Sequence, residues 1–253
     1  MSSTIAITNQ KGGVGKTTTA VNLGAALAEL GRRVLLVDMD PQGNATSGLG
    51  VDKAALAATS YEVLAGEVAA VEAVWATAVA GLHLLPATID LAGAEIELVS
   101  ALARENQLRA ALEPAAGEYD YLLLDSPPSL GLLTVNCLTA ADRVLIPIQC
   151  EYYALEGLTQ LTRTLELVTR RLNPRLGLLG VLLTMHDPRT RLSREVAAEV
   201  RRHFGEQTFA TVIPRSVRLS EAPSHGETIF GYDPRSRGAR AYLELAKEVI
   251  GRG

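Results

Sequence analysis

The chain has 253 residues, of which 47 % are hydrophobic and 4 % aromatic, and its formal net charge is −4. This length suits one large domain with a substantial core, and the hydrophobic content excludes a disordered chain. Two cysteines, Cys137 and Cys150, are too few for a disulfide framework and predict reduced, buried thiols. No stretch has the pattern of a signal peptide or a transmembrane helix, so we expect a cytosolic protein.

Short apolar runs alternate with amphipathic stretches along the whole chain. The apolar runs predict strands over residues 4–8, 34–37, 83–85, 121–124, 144–148, 178–184 and 209–213. The amphipathic stretches predict helices over residues 16–30, 92–112, 130–140, 154–172, 193–203 and 236–250. Because the runs lack polar alternation, the strands are expected to be buried on both faces. We therefore predict a single α/β domain over residues 1–253, with a mostly parallel twisted sheet and helices on both faces.

A glycine-rich loop joins the first predicted strand to the first predicted helix. Its glycines let the backbone wrap closely around an anion, and the helix that begins near Lys16 adds its positive dipole end. Lys16 can neutralise the β- and γ-phosphates, the Thr17 hydroxyl can ligate Mg²⁺, and Thr18 can hydrogen-bond the α-phosphate. The loop thus predicts an ATP-binding site made of Lys11, Gly12, Gly13, Val14, Gly15, Lys16, Thr17 and Thr18.

The loop departs from the standard phosphate-loop pattern in two places. Gln10 occupies the position of the first glycine, and Lys11 precedes the double glycine. A lysine at position 11 is poorly placed to serve the same phosphates as Lys16 from the same side.

Acidic side chains end two of the predicted strands. Asp38 and Asp40 lie at the end of the second strand, and Asp125 ends the fourth. The carboxyl ends of parallel strands line the ligand crevice, and Mg²⁺ prefers oxygen ligands while keeping several waters. We predict that Asp125 holds Mg²⁺ through water and that Asp38 has a supporting role.

Charge is unevenly distributed along the chain. Residues 1–160 hold 8 Lys/Arg against 18 Asp/Glu, whereas residues 161–253 hold 16 Lys/Arg against 10 Asp/Glu. A positive region in an acidic protein points towards a polyanion, although the same arginines could simply form surface salt bridges. With few aromatics available to stack single-stranded bases, duplex DNA is the favoured polyanion. The arginines that cluster in and before the helix over 193–203, or follow the last strand, are Arg189, Arg191, Arg194, Arg201, Arg202, Arg215 and Arg218.

Taken together, these motifs resemble the ParA/Soj family of chromosome and plasmid partition ATPases, within the ParA/MinD superfamily. The deviant loop carries the resemblance, and so do four further blocks, over residues 37–50, 124–129, 149–157 and 212–224. The resemblance implies a P-loop NTPase fold and a weak Mg²⁺-dependent ATPase that forms a homodimer on binding ATP. It further implies binding to nonspecific double-stranded DNA at the nucleoid, and hydrolysis stimulated by a ParB/Spo0J-like centromere-binding protein.

Specific roles also follow from the resemblance. Lys11 is expected to reach the nucleotide of the partner subunit, and to act in catalysis with Lys16 and Asp40. Asp40 is expected to orient the attacking water and to touch the water shell of the metal. Pro214 and Ser216 are expected to contact adenine, with Ser216 standing where family members often have Asn. The DNA contacts expected first are Arg189 and Arg218, followed by Arg215 and Arg201.

Three other functions fit parts of the sequence. A membrane ATPase of the MinD type needs a basic C-terminal amphipathic helix, but residues 241–253 balance Glu244 and Glu248 against Lys247 and Arg252. We therefore expect no membrane binding, and we expect these residues to form a closing helix that packs on the sheet.

A metal-cluster reductase resembling the nitrogenase iron protein would need a cluster motif around its cysteines, and none is present. A regulatory role in replication or transcription through the same DNA-bound dimer is compatible with partitioning.

Overall fold

The computed structural model describes residues 2–151 and 156–252. Within them, eight strands form one sheet in the order β3-β4-β2-β5-β1-β6-β7-β8. Neighbouring strands are parallel except for the β3–β4 pair, which is antiparallel. The strands are β1 (Ser3–Ile7), β2 (Val34–Asp38), β3 (Trp75–Ala76), β4 (Leu82–Leu85), β5 (Tyr121–Asp125), β6 (Arg143–Gln149), β7 (Gly177–His186) and β8 (Thr208–Pro214).

Helices connect these strands and cover both faces of the sheet. In chain order they are α1 (Lys16–Glu29), α2 (Asn44–Gly48), α3 (Ser60–Ala65), α4 (Ala70–Ala73), α5 (Leu91–Glu97), α6 (Gln107–Leu112), α7 (Leu132–Ala140), α8 (Glu156–Arg171), α9 (Arg191–Phe204), α10 (Val217–Glu221), α11 (Ile229–Tyr232) and α12 (Arg237–Arg252). Short 3₁₀ turns lie at Lys53–Ala55, Leu98–Ser100, Gly205–Gln207 and Ala222–His225.

The core consists of two apolar layers, one on each face of the sheet. Successive strand residues point to opposite faces, so Ile5 and Ile7 belong to one layer and Ala6 to the other. Helices α1 and α12 supply one layer, whereas α5 to α9 supply most of the other. The expected α/β fold with helices on both faces is thereby confirmed.

The predicted helix over residues 92–112 is wrong as one continuous element. The structure divides it into α5, the 3₁₀ turn Leu98–Ser100 and α6. Ala101 is extended, with ψ 143°, and Ala103 has a left-handed φ of 49°. Asn136 of α7 fixes this break, because its side chain donates to the carbonyl of Arg104 and accepts from the backbone N–H of Leu108. A tertiary contact therefore overrides the helical pattern.

Other differences are smaller. All seven predicted strands are present, whereas β3 and the short helices α2, α3, α4, α10 and α11 had no sequence prediction. The helix predicted over 154–172 corresponds to α8, and its first two residues lie outside the described residues, as do residues 152–155 of the block over 149–157.

The C-terminal helix closes the fold, as expected. Its apolar side chains Tyr242, Leu245 and Val249 are buried against α1 and β8. On the same helix, Glu248 accepts hydrogen bonds from the backbone N–H groups of Ala210 and Thr211 on the edge strand. The apolar face of α12 is therefore covered by the chain itself and not available to a lipid surface. In the part of the chain that the structure describes, no helix is long and apolar enough to cross a membrane.

A buried amide caps the C-terminal end of α7, which yields a stability prediction. The Asn173 side chain is 3 % exposed and donates to the carbonyls of Leu138, Thr139 and Ala141. The variant Asn173→Ala should lower the free energy of unfolding by about 2 kcal/mol, since it leaves buried carbonyls unsatisfied. Urea denaturation measures this loss. Asn106→Ala is the matched control, because Asn106 makes no side-chain cap at the start of α6; equal losses in both variants would contradict the capping role.

Candidate nucleotide-binding site

The loop between β1 and α1 is fixed at both ends by buried side chains. Asn9 donates to the carbonyl of Pro147 (2.8 Å) and accepts from the backbone N–H of Lys11 (3.0 Å). On the other side, the Thr184 hydroxyl donates to the carbonyl of Val14 (2.7 Å). Gly15 has φ +89°, a conformation that residues with a Cβ rarely adopt. The chain thus holds an open, glycine-lined turn at the N-terminus of α1 before any ligand is bound.

A cavity of about 600 Å³ opens above this turn, at the carboxyl edge of the sheet. Its volume is in the range of small-molecule sites, and its floor combines backbone N–H groups with a helix N-terminus. The residues that line it are Gly12, Gly13, Gly15, Lys16, Thr17, Thr18, Val21, Asn22, Asp40, Gln42, Asn44, Ser47, Gly48, Pro128, Met185, Pro223 and Ser224.

Lys16 is the cation of this cavity. Its side chain is buried, and Nζ donates to the carbonyl of Lys11 at 3.3 Å. Burial lowers the pKa of Lys16, while the charges of Asp125 and Asp40 oppose that shift. Phosphate oxygens would replace the Lys11 carbonyl as stronger acceptors for the same ammonium group.

Asp125 presents a buried carboxylate that lacks a hydrogen-bond partner among the described residues. It lies in register with Asp38 on β2, and both are fully buried. Neither Asp125 oxygen completes a hydrogen bond there, although the Thr17 hydroxyl and the Lys16 ammonium lie close enough to favour its charged form. Burial raises the pKa of Asp125 well above its ordinary value, and the charge of Asp38 raises it further. An unpaired carboxylate beside a threonine hydroxyl and a phosphate loop fits a hydrated divalent cation.

Asp38 and Asp40 have different environments although they are two residues apart. Asp38 accepts from the backbone N–H and the hydroxyl of Thr46, and the Thr46 hydroxyl in turn accepts from Ala87 N–H. Burial raises the pKa of Asp38 to about 6, against the lowering effect of the Thr46 hydrogen bonds. Asp38 therefore joins β2 to the chain after β4. Asp40, by contrast, accepts from Gln42 N–H and lines the cavity.

Four predicted nucleotide-binding residues do not line the cavity: Lys11, Val14, Pro214 and Ser216. Val14 is buried, and its carbonyl accepts from Thr184. Lys11 is half-buried and contributes its carbonyl to Lys16. Pro214 ends β8 and Ser216 precedes α10, and the cavity wall on that side of the sheet comes instead from Met185, Pro223 and Ser224. The adenine contacts at 214 and 216 stay a prediction.

Several wall residues were missed from the sequence. The sequence indicated Asn22 only weakly, because it is a polar residue one turn after Thr18 on an apolar helix. In the structure its side-chain amide donates to the Thr18 carbonyl and accepts from the Ile229 N–H. Met185 carried none, because its left-handed φ of 51° appears only in the folded backbone. Four further wall residues lie within the block over residues 37–50, where the family resemblance implied no role for them: Gln42, Asn44, Ser47 and Gly48.

The structure brings three of the four predicted DNA-contacting arginines, Arg189, Arg215 and Arg218, to the same edge of the sheet as the cavity, whereas Arg201 lies in the last turn of α9, which leads into the start of β8. The backbone N–H of Arg215 donates to the carbonyl of His186, which joins the turn after β8 to the turn after β7 that carries Arg189. Burial, and then the charge of Arg201, lower the pKa of His186 at the end of β7. Arg218 follows on α10.

Each of three arginines has an acidic neighbour at the surface. Arg189 pairs with Asp187 (2.8 Å), Arg218 with Glu221 (3.1 Å), and Arg215 only loosely with Glu151 (3.9 Å). These guanidinium groups are more than half exposed, and exposed pairs of this kind contribute little to stability. Their charges therefore remain accessible to a phosphate.

This combination of a parallel sheet, a glycine loop before a helix, a buried lysine and a buried strand-end carboxylate defines a P-loop nucleotide-binding protein. A family model described as an AAA domain matches residues 2–178. The chain is 60 % identical to the sporulation initiation inhibitor protein Soj of Bacillus subtilis (strain 168), over 100 % of both chains. It is 56 % identical over 250 residues to the chromosome partitioning protein ParA of Caulobacter vibrioides, covering 98 % of this chain and 94 % of the relative.

A similar solved structure is the cobyrinic acid a,c-diamide synthase from Mycobacterium smegmatis with bound ADP and magnesium. It has a TM-score of 0.88 and 44 % identity, over 99 % of this chain and 94 % of that chain. Its name indicates a different reaction, whereas the two relatives of higher identity act in partitioning or sporulation control by name. The chain belongs to the Soj/ParA family of chromosome-partitioning ATPases.

The Asp38–Asp125 pair yields a pH prediction for the chain without nucleotide or metal. A carboxyl group with a raised folded-state pKa contributes stability that is fully present below its ordinary value, near pH 4, and is lost as the pH rises through the folded-state value, about 6 for Asp38. The variant Asp125→Asn removes one charge of the pair. Relative to wild type, its free energy of unfolding should rise as the pH increases from 4 to 7, because burial and the charge of Asp38 no longer oppose the ionisation of a carboxyl group at this position.

Chemical denaturation across this pH range measures the effect. The control is Asp52→Asn, which changes an exposed carboxylate and should keep the wild-type slope. If Asp125→Asn instead ran parallel to wild type across the range, the pKa of Asp125 would not be raised in the folded chain.

Proposed function

We propose that this chain binds ATP and Mg²⁺ in the cavity, dimerises through the bound nucleotide, and binds duplex DNA nonspecifically as that dimer. A ParB/Spo0J-like centromere-binding protein then stimulates hydrolysis, which releases the DNA. The protein would act in the cytoplasm, at the nucleoid. The observation that carries the proposal is the Asp125 carboxylate, unpartnered among the described residues, facing Lys16 and Thr17 under an anchored phosphate loop.

Backbone and side-chain groups of this chain supply the contacts to the nucleotide and the metal. The N–H groups of residues 12–18 surround the phosphates, and Lys16 neutralises their oxygens. When bound, Mg²⁺ offsets charge on the β- and γ-phosphates; the Thr17 hydroxyl would ligate it directly, with Asp125 and Asp40 holding its waters. Asp40 can orient the attacking water because Gln42 engages its Oδ1 and the carboxylate faces the cavity. The position of Asp38 against Thr46 supports a role in holding this segment.

Dimerisation is proposed because a single subunit does not place enough positive charge around the phosphates to neutralise the transition state. Phosphoryl transfer depends on positioning and on neutralising the charge that develops in the transition state. Lys11 does not line its own cavity, so its ammonium group is available to a nucleotide across a subunit interface. Lys11 would then have the role that an arginine finger has when a partner protein supplies it.

The variant Lys11→Ala tests this role. ATP binding should stay within a few-fold of wild type, while DNA- and partner-stimulated hydrolysis should fall by about a hundred-fold or more, on the scale of trans-acting cations. Phosphate release and equilibrium binding of a fluorescent ATP analogue provide the two measurements. Lys247→Ala on α12 is the control, because Lys247 pairs with Glu244 on its own helix. Normal hydrolysis by Lys11→Ala would remove the argument for a cross-subunit lysine.

DNA binding is tested by an arginine double variant. Arg189→Ala with Arg218→Ala should weaken binding to a nonspecific duplex by about ten-fold or more, and reduce the salt slope by about one unit for each phosphate that is no longer neutralised. Binding is measured without nucleotide, with ADP and with ATP, at two salt concentrations. We expect binding with ATP only. Arg109→Ala, an exposed change in α6, is the control.

Two results would separate the parts of the proposal. If ATP dimerises the protein but no duplex binds, the nucleotide chemistry survives and the DNA assignment is wrong. If Arg109→Ala weakens binding as much as the double variant, the effect reflects overall charge and not the edge that carries Arg189 and Arg218.

A further inference from the structure

Two glycines bring two walls of the nucleotide cavity into direct backbone contact. We call residues 40–50, which include α2 and end at Gly50, the α2 wall, and residues 222–226, which end at Gly226, the 3₁₀ wall. A Cβ on Gly226 would lie 2.6 Å from the Cα of Gly50, and a Cβ on Gly50 would lie 2.9 Å from the carbonyl oxygen of Gly226. Neither approach leaves room for a side chain, so the contact requires glycine on both walls.

The backbone conformation of both glycines adds a second, independent requirement. Gly50 has φ +74° and Gly226 has φ +68°, in the left-handed region. Each ends a short helical element, since the Gly50 N–H donates to the Ser47 carbonyl and the Gly226 N–H donates to the Pro223 carbonyl. The two turns therefore place the same two backbones against each other.

The contact lies next to residues that line the cavity from both walls. Ser47 and Gly48 line it from the α2 wall, and Pro223 and Ser224 line it from the 3₁₀ wall. A Cβ on Gly48 would lie 3.7 Å from the Cβ of Pro223, which is an ordinary van der Waals contact. The cavity is thus closed here by two separate segments that meet, and its width depends on how closely they approach.

The rest of the chain holds the two walls differently. The α2 wall is fixed in its middle, because the Thr46 hydroxyl donates to Asp38 and accepts from a backbone N–H after β4. The 3₁₀ wall is fixed beyond its end, where the Ile229 N–H donates to Asn22 of α1. Among the described residues, the hydrogen bonds of the 3₁₀ wall itself run only to residues 218–227. The 3₁₀ wall is therefore the one that a displaced contact would move.

We propose that Gly50 and Gly226 are positioning residues for nucleotide binding, whose contact holds the 3₁₀ wall at the distance from the α2 wall that the nucleotide requires. The proposal rests on the proposed function and adds the contact that sets the width of its site. A side chain at either glycine would push the 3₁₀ wall outward. Lys16 and Asp40 would keep their places, so the loss falls on nucleotide affinity and not on the hydrolysis of bound nucleotide.

The variants Gly50→Ala and Gly226→Ala test this role. Each should raise the dissociation constant of a fluorescent ATP analogue about ten-fold or more, while basal hydrolysis at saturating ATP stays within a few-fold of wild type. Because both substitutions break one contact, the double variant should be little weaker than either single variant. Gly66→Ala is the matched control: Gly66 ends α3 with φ +77°, and a Cβ there would meet nothing within 4 Å. It carries the same backbone strain without the collision and should keep wild-type affinity.

An engineered disulfide measures the separation of the walls without nucleotide. The pair Gly48→Cys with Pro223→Cys places two Cβ atoms at the spacing of a disulfide, and both native cysteines are buried. Oxidised glutathione should close this bond, as measured by loss of free thiol. Adding Gly226→Ala should slow closure about ten-fold, since the walls must move to meet, whereas adding Gly66→Ala should leave the rate unchanged. The oxidised protein should bind the ATP analogue as tightly as its own reduced form.

Each outcome decides the proposal. Equal losses of affinity in Gly226→Ala and Gly66→Ala would overturn it, because backbone strain alone would then explain both. Unchanged affinity with slower hydrolysis at saturating ATP would overturn it while leaving the proposed function intact, and so would a disulfide that closes equally fast with Gly226→Ala. Loss of ATP binding on oxidation of the cysteine pair, reversed by a reductant, would show that the walls must separate, which contradicts the role. If wild type binds no ATP, the proposed function fails and this positioning role fails with it.

Discussion

Asp38 and Asp125 lie opposite each other on neighbouring central strands, fully buried, and the charges of Lys16 and Asp40 act on the same space. Three carboxylates and one buried lysine leave this site short of positive charge. Desolvation makes that imbalance costly, and it is expressed as raised pKa values for Asp38 and Asp125. A divalent cation would supply the missing charge. The phosphates of a nucleotide would bring further negative charge, which the N–H groups of the glycine loop and the N-terminus of α1 are placed to accept.

Hydrogen bonds from the surrounding chain fix the positions of the segments that carry these charged side chains. Thr46 engages Asp38 through two hydrogen bonds and Ala87 fixes Thr46, so the segment after β2 is fastened to the chain after β4. The phosphate loop is fastened independently by Asn9 and Thr184, which bind carbonyls across the sheet. Because these anchors join segments at the carboxyl ends of β1, β2, β4, β6 and β7, the geometry of the site depends on the parallel register of the sheet. This explains why so many polar side chains are buried in an otherwise apolar core.

Features that depend on local chemistry could be predicted from the sequence. The seven apolar strand runs, the glycine loop with Lys16 and Thr17, and the strand-end positions of Asp40 and Asp125 all follow from patterns confined to short stretches of chain. Features that depend on distant contacts could not. The helix over 92–112 breaks because Asn136, on another element, bonds to its middle, and Met185 reaches the cavity through a backbone conformation that no residue pattern encodes. The sequence predicts only a supporting role for Asp38, and its hydrogen bonds to Thr46 indicate that this role is structural.

Positively and negatively charged side chains are concentrated at opposite ends of the strand order. Arg189 and Arg215 lie on the turns after β7 and β8, and Arg218 lies on α10, at one end of the strand order, while the acidic segment 54–120, with ten Asp/Glu and two Lys/Arg, contains β3 and β4 at the other. The nucleotide cavity lies between them, bordered by elements from both sides. A polyanion approaching this chain is therefore guided to the β8 side and repelled from the β4 side, and a basic ligand experiences the reverse.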